Sequence, residues 1–223
     1  MIKRSTLRSQ IATALRDEIL AGRLPAGRQF TVKEIAEQFG VSATPVREAL
    51  VDLAAQGLLD EEHHRGFRVH EFTLDDYRAM VRARALVLNG LFHGGPSGRP
   101  SDEIHFPGPE AVASVRRRAE AAERAAQAGD LDVLIGYDLR FWKELGGLVG
   151  NPYLCEFLDR LRVQSWVFTV PALRRQRRLA GRLWAGHREL VDAVEARDAE
   201  AAHRLIAAYN AHALALAEEL AAS

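Results

Sequence analysis

The chain has one cysteine, Cys155, in 223 residues. A single thiol excludes an internal disulfide framework and fits a reducing compartment. No apolar run approaches the roughly 18 residues needed to span a bilayer, so no membrane partner is expected. The N-terminal stretch Met1-Ile2-Lys3-Arg4-Ser5 runs into a charged amphipathic pattern and has no signal-peptide core, which points to the cytoplasm. An excess of one charge is also missing. Thirty basic residues balance thirty acidic ones, so global charge alone does not indicate a nucleic-acid partner. There is no Gly-x-Ser-x-Gly elbow, Gly-x-Gly-x-x-Gly fingerprint, P-loop or His-Glu-x-x-His pair, and no enzyme is expected. What is present is ordinary. Hydrophobic residues make up 48% and charged residues 27%, which excludes wholesale disorder. The length allows one large domain or two smaller ones.

The first break in pattern falls near residue 72. Before it, Leu7, Ile11, Ala14, Leu15, Ile19 and Leu20 stand at helical spacing, and Gly22 stops that helix. Thr31 caps a short helix, with Glu34 three residues on as in a capping box, and Gly40 ends it. Ser42 caps the next helix, with Pro45 in its first turn, where a missing N–H costs little. Val46, Ala49, Leu50, Leu53 and Ala54 form its apolar stripe. Residues 58–71 read as a hairpin with His63, His64, Arg65 and Gly66 at its tip. After residue 72 the pattern is helical over about 75–93, 109–128, 130–149, 151–169, 172–196 and 198–221. The Gly- and Pro-rich segment 94–109 reads as a loop. The expected fold is mostly α. It has an N-terminal winged helix-turn-helix with a small β-hairpin (residues 1–72) and a C-terminal all-α antiparallel helical bundle (residues 73–223).

The turn Phe39-Gly40-Val41-Ser42 is the pivot of that motif. The apolar stripe of the helix after it leaves Thr44, Arg47, Glu48 and Val51 outward, and the N-terminal end of such a helix reaches base edges. Local charge supports DNA as the partner. Residues 1–47 hold eight basic residues against four acidic ones, an excess that supplies salt-dependent phosphate attraction. The alternative at this level is a winged helix that binds protein.

The segments Gly22-Arg23-Leu24-Pro25-Ala26-Gly27, Val41-Ser42-Ala43-Thr44-Pro45-Val46-Arg47-Glu48-Ala49-Leu50 and Arg65-Gly66-Phe67-Arg68-Val69 resemble the N-domain of GntR-family regulators. The helical remainder resembles the effector domain of the FadR-like (FCD) branch. The resemblance implies a homodimeric, ligand-responsive transcription factor that binds a palindromic double-stranded operator; a repressor is the expected sign, with an activator as the alternative. It places Lys33, Ser42, Thr44 and Arg47 at DNA-facing positions and His64, Arg65 and Gly66 in the wing tip. Arg8 becomes a phosphate contact. The family usually has Arg between the Ser and Thr of Val-Ser-x-Thr. Here Ala43 stands there, and a methyl group cannot make the bidentate guanine contact, usually about 1–3 kcal/mol of discrimination. An operator that departs from the family consensus is the expected consequence, or reliance on Arg47, Lys33 and the wing.

Many FCD domains hold a divalent metal with one Asp and three His. Asp138-Leu139-Arg140-Phe141-Trp142 resembles the family's Asp-x-x-x-His pair, with Trp in place of His. His187 matches the second His, Tyr209 falls near the last, and His212 lies one turn further. Zn, Mn or Ni at Asp138, His187 and His212 is one expectation, making the chain a metal-dependent carboxylate sensor. The other is a metal-free pocket for an organic acid or acyl-CoA-like effector, with Arg84, Asp138, Trp142, His187 and Tyr209 facing it. Phe141, Trp166, Phe168 and Trp184 are further aromatic candidates, or core. No cofactor is certain. The run Arg174-Arg175-Gln176-Arg177-Arg178 reads as a solvated helix start or a phosphate site. A structural or enzymatic dimer that does not bind DNA is the remaining alternative.

Overall fold

A computed structural model of the chain describes residues 2–63, 65–96, 99–102 and 104–222. These divide into two compact units. One is Met1–Thr73 together with Trp166–Pro171, the other Leu74–Ser165 together with Ala172–Ser223.

The first unit is built by local signals that the sequence carries openly. Helix α1 spans Ile2–Leu20, and Ile11, Leu15, Ile19 and Leu20 face its interior. Helix α2, Val32–Phe39, begins with a complete capping box: the Glu34 carboxylate accepts the Thr31 N–H at 2.6 Å, and Thr31 Oγ1 accepts the Glu34 N–H at 3.2 Å. Backbone and hydroxyl bonds from Thr31 hold the Glu34 carboxyl below its usual pKa. Gly40 ends α2 at φ 64°, a left-handed conformation that costs glycine nothing, and Val41 N–H returns to the Ala36 carbonyl. The chain is thereby turned into α3, Ala43–Ala55, whose Val46, Ala49, Leu50 and Leu53 are fully buried, with α1 packed against it.

The wing differs from the expected hairpin. Strands β2 (Leu59–Glu62) and β3 (Gly66–Val69) pair antiparallel, and a two-residue strand β1, Gln29–Phe30, adds to β3 in the order β1-β3-β2. Two residues are too few to show a period-2 pattern, which is why the sequence gives no sign of β1. Gly66 makes the pairing possible. Its φ is +99°, and a Cβ there would stand 2.4 Å from the Phe30 carbonyl oxygen.

The second unit is helical: α4 Leu74–His93, α5 Pro109–Ala128, α6 Leu131–Val149, α7 Pro152–Arg174 apart from its Trp166–Pro171 stretch, α8 His187–Glu195 and α9 Ala199–Ala222. Its core includes Val112, Val115, Phe141, Leu190 and Val191. Two expectations need correction. Helix α7 continues through Pro171 to Arg174, because the proline falls in the last turn, where one lost hydrogen bond does not break the helix. The segment expected to be a single helix over 172–196 is interrupted, with turns between Arg175 and Gly186. Leu179 and Leu183 are buried there at helix-like spacing, but Gly181 takes φ +79° and the chain turns. The arginine run therefore follows the C-terminus of α7 instead of opening a helix. Cations are favourable there, at the negative end of the helix dipole.

Candidate functional site

In the first unit, the burial of one face of α3 fixes what the other presents. Thr44, Arg47 and Glu48 are exposed and Val51 is 48% exposed, beginning within the first turn of α3. Ser42 is the N-cap residue, but its hydroxyl makes no capping hydrogen bond, and it lies exposed beside Ala43. Lys33 is a fully extended surface cation, 84% exposed and 3.8 Å from Glu37, a pair too open to contribute much. Arg65 is exposed at the β2–β3 turn, its N–H on the Glu62 carbonyl at 2.9 Å. His64 lies outside the described residues. Two expected DNA contacts carry other duties. Arg8 forks onto both carboxylate oxygens of Asp52, linking α1 to α3, and that hydrogen bonding raises its guanidinium pKa. A phosphate must compete with Asp52 for it. Gly66 is held by the wing's own backbone geometry.

In the second unit, a cavity of about 100 Å³ (the space a water molecule's centre can occupy) opens among α4, α6, α7, α8 and α9. Its wall is mostly apolar, with Leu88, Leu91, Leu145, Leu158, Leu190 and Ile206. The loop after α4 contributes Ile104 and Phe106, so that segment is part of the wall. Against this background stand two arginines. Arg84 is 1% exposed, and its Nε, Nη1 and Nη2 are all buried without a hydrogen-bond partner. Arg162 is 5% exposed, its Nη1 is likewise unpartnered, and its guanidinium lies 3.9 Å from the Trp142 ring centroid. Burial pushes the Arg162 pKa down, while Tyr209 and Asp138 push it up. Both guanidiniums lie against Tyr209, at 5.6 and 5.2 Å from its ring centroid. The Tyr77 hydroxyl donates to the Ala213 carbonyl at 3.2 Å, and burial drives its pKa up to about 12 against the pull of the two arginines. Asp159 is the acidic group in the wall.

Arg162 escaped the sequence reading, although a signal existed. Leu154, Leu158, Arg162 and Trp166 recur every four residues, so Arg162 interrupts an apolar stripe. Of the aromatic candidates, Trp142 lines the cavity. Phe141, Trp184 and Tyr209 pack in the core cluster, and Trp166 and Phe168 are not among the lining residues.

Asp138, His187 and Tyr209, expected to face the effector, are not part of the cavity wall either. Asp138 and His187 are each 1% exposed. Trp142 Nε1 donates to Asp138 Oδ1 at 2.9 Å, and His187 Nε2 lies 3.0 Å from the same oxygen. A carboxylate only accepts, so His187 donates through Nε2, and its buried Nδ1 has no partner. His212 is turned elsewhere, with Nε2 on the Arg182 carbonyl at 2.9 Å. Among the described residues no group of three His, Cys, Asp or Glu side chains converges. The residues present do not fit a divalent Zn, Mn or Ni ion. An indole N–H points at the Asp138 oxygen where a ligating imidazole would serve the ion, and a guanidinium already lies over that indole. Placing His212 beside Asp138 and His187 is therefore corrected.

Comparison with known proteins agrees with both units. The family model described as "Bacterial regulatory proteins, gntR family" matches residues 7–69, and that of the "FCD domain" matches residues 105–212. The "Probable D-xylose utilization operon transcriptional repressor" of Paenarthrobacter nicotinovorans is 34% identical over 205 residues, covering 92% of this chain and 86% of that one. The "HTH-type transcriptional regulator McbR" of Escherichia coli K12 is 27% identical over 180 residues, covering 77% and 72%. The solved structure of "E. coli McbR/YncC" superposes with a TM-score of 0.66 at 24% identity, covering 96% of this chain and 97% of that one, a likeness of fold. A helix-turn-helix with an exposed recognition face, a separate helical unit with a cavity, and these matches carry one conclusion: the chain belongs to the GntR family of bacterial regulatory proteins, has an FCD domain, and is a transcriptional regulator, not an enzyme.

Proposed function

We propose that the chain is a repressor that binds a palindromic operator as a homodimer and changes its affinity when a small organic acid enters the helical cavity. Residues 1–72 then read DNA, and residues 73–223 bind the effector and dimerise. Arg47 and Thr44 meet base edges from the first turn of α3, while Lys33, Ser42, Arg65 and His64 supply backbone and groove contacts. The observation that carries the DNA half is the exposure of Ser42, Ala43, Thr44, Arg47 and Glu48 over a stripe with no exposure at all at Val46, Ala49, Leu50 and Leu53. A helix so anchored presents rigid side chains to a groove. The effector half rests on Arg84, a buried cation at the wall of an apolar cavity with no carboxylate partner among the described residues. No described helix is long and apolar enough to cross a membrane.

The test is fluorescence anisotropy with operator DNA taken from upstream of the chain's own gene. Arg47→Ala is expected to weaken specific binding about 5- to 150-fold, the equivalent of one lost bidentate base contact of about 1–3 kcal/mol. Equal affinity in the variant would remove Arg47 from the interface. Indifference of the unsubstituted protein to operator and random DNA alike would sink the operator reading.

A further inference from the structure

Resting on the effector reading above, we infer that Arg84 and Arg162 together form a metal-free receptor for the carboxylate of an apolar organic acid, with Trp142 as the platform that holds Arg162 in place. Three observations support this. Four guanidinium nitrogens, three on Arg84 and one on Arg162, are buried without partners, and both side chains line one cavity. Buried charged donors left unpaired are costly in a ligand-free protein, and an entering carboxylate relieves that cost. The indole of Trp142 faces two ways. Its N–H closes Asp138 Oδ1, and its ring lies 3.9 Å under the Arg162 guanidinium, within cation–π range. The position that would offer an imidazole to a metal instead fixes an organic cation beside the cavity.

The wall sets the class of ligand. Arg162 has Asp138 and Asp159 close enough to raise its pKa. Arg84, beside the Tyr77 hydroxyl, has no carboxylate partner among the described residues and is the primary anion contact. The remainder of the wall is Leu, Ile, Val, Phe, Trp and Ala side chains and glycine, with Asn151, Cys155 and Asp159 as its other polar members. A neutral polyhydroxylated sugar finds no adequate set of partners there, because each buried hydroxyl needs one. An alkyl or aryl monocarboxylate buries its body against the leucines and its charge against the two guanidiniums.

The experiment uses the full chain after treatment with EDTA and removal of the chelator. Isothermal titration calorimetry and thermal denaturation are run with butanoate, hexanoate, octanoate and phenylacetate, with the matching amides, and with D-xylose. At least one carboxylate is expected to bind and raise the melting temperature without added metal, with its amide at least tenfold weaker. Arg84→Met and Arg162→Met are each expected to lose at least tenfold in affinity with helical circular dichroism unchanged, and Arg162→Lys to retain part of it. Trp142→Phe keeps a ring under Arg162 and is expected to bind the acid more tightly than Trp142→Ala. The inference is overturned if no carboxylate binds, if binding appears only after Zn, Mn or Ni is restored, if amides bind equally, or if D-xylose outcompetes every acid. Binding that survives both arginine substitutions overturns it as well. Carboxylate binding that leaves operator affinity unchanged keeps the receptor and refutes only the effector reading.

Discussion

Removing the Arg84 charge should make the ligand-free protein more stable, the opposite of what truncating a buried side chain usually does. Arg84 is 1% exposed and none of its three side-chain nitrogens has a hydrogen-bond partner. Its visible compensation is the Tyr209 ring at 5.6 Å and the Tyr77 hydroxyl, whose pKa it lowers, and a cation–π contact of that kind is worth about 1 kcal/mol. Replacing a poorly compensated buried charge with an apolar side chain of similar length commonly gains about 1–4 kcal/mol. Water admitted to the cavity in solution satisfies part of the guanidinium, so the lower half of that range applies. Arg84→Met is therefore expected to stabilise the protein by about 2 kcal/mol, a rise of about 4–8 °C in melting temperature for a chain of this size. Differential scanning calorimetry of the ligand-free proteins reads it directly. The same variant should lose the thermal shift that a bound acid gives. A melting temperature that falls by several degrees would refute the reasoning, because it would mean that Arg84 is satisfied in the folded state and serves the core.

Three further outcomes follow from particular contacts. Gly66→Ala places a Cβ 2.4 Å from the Phe30 carbonyl oxygen at φ +99°, so chemical denaturation of the first unit should show a loss of about 1–3 kcal/mol and weaker operator binding; an unchanged midpoint would contradict the strain. His203 donates through Nε2 to Asn89 Oδ1 at 2.8 Å and faces His93 Nε2 through Nδ1 at 3.2 Å, and burial, followed by the charge of His93, lowers its pKa against the pull of Glu200. A lowered folded pKa means the unfolded chain binds the extra proton first, so stability present at neutral pH should decline as pH falls below about 6.5; His203→Gln should flatten that slope, and a melting temperature that does not respond differently in the two proteins would count against it. Burial, with Asp159 adding to it, raises the pKa of the Cys155 thiol, which donates to the Gly146 carbonyl at 2.9 Å at the cavity wall. Alkylation by iodoacetamide should be slow at pH 7, faster above pH 9, and slowed again by a bound acid, whereas rapid labelling at neutral pH would contradict the burial.

How much was legible depended on the range of the forces involved. The capping box at Thr31 and Glu34, the left-handed Gly40 and the stripe from Val46 to Leu53 act within one or two helical turns, and the sequence displays them directly. Strand β1 is different. Gln29–Phe30 is a strand because Gly66 lets β3 come close, a fact spread over almost forty residues of chain. The interruption between α7 and α8 was hidden for a related reason. Leu179 and Leu183 keep helical spacing while being buried from a turn, so periodicity and backbone disagree. At the cavity, Arg84 could be named by resemblance. Arg162 could not, since its importance lies in meeting Trp142 and Tyr209 across the unit. The absence of an imidazole at Trp142 was plain in the sequence; what the indole does instead was not.

In the proposed receptor, the two faces of Trp142 would let a site without a metal ion select an anion. A metal ion attracts a carboxylate with concentrated charge, but depends on three or four converging donors, and Asp138 and His187 alone cannot supply them. A guanidinium carries its charge on a covalent stem and offers in-plane donors that match a carboxylate fork. It needs only a surface that holds its plane, and an indole ring at 3.9 Å is one. Asp138 has Trp142 and His187 on one oxygen, and its negative charge raises the Arg162 pKa against the lowering by burial. The replacement therefore works as a set. Asp138→Asn should loosen the indole whose N–H Asp138 accepts, and with it the guanidinium stacked on that ring, and so weaken acid binding. A receptor made this way responds to its organic acid alone, independent of the supply of Zn, Mn or Ni.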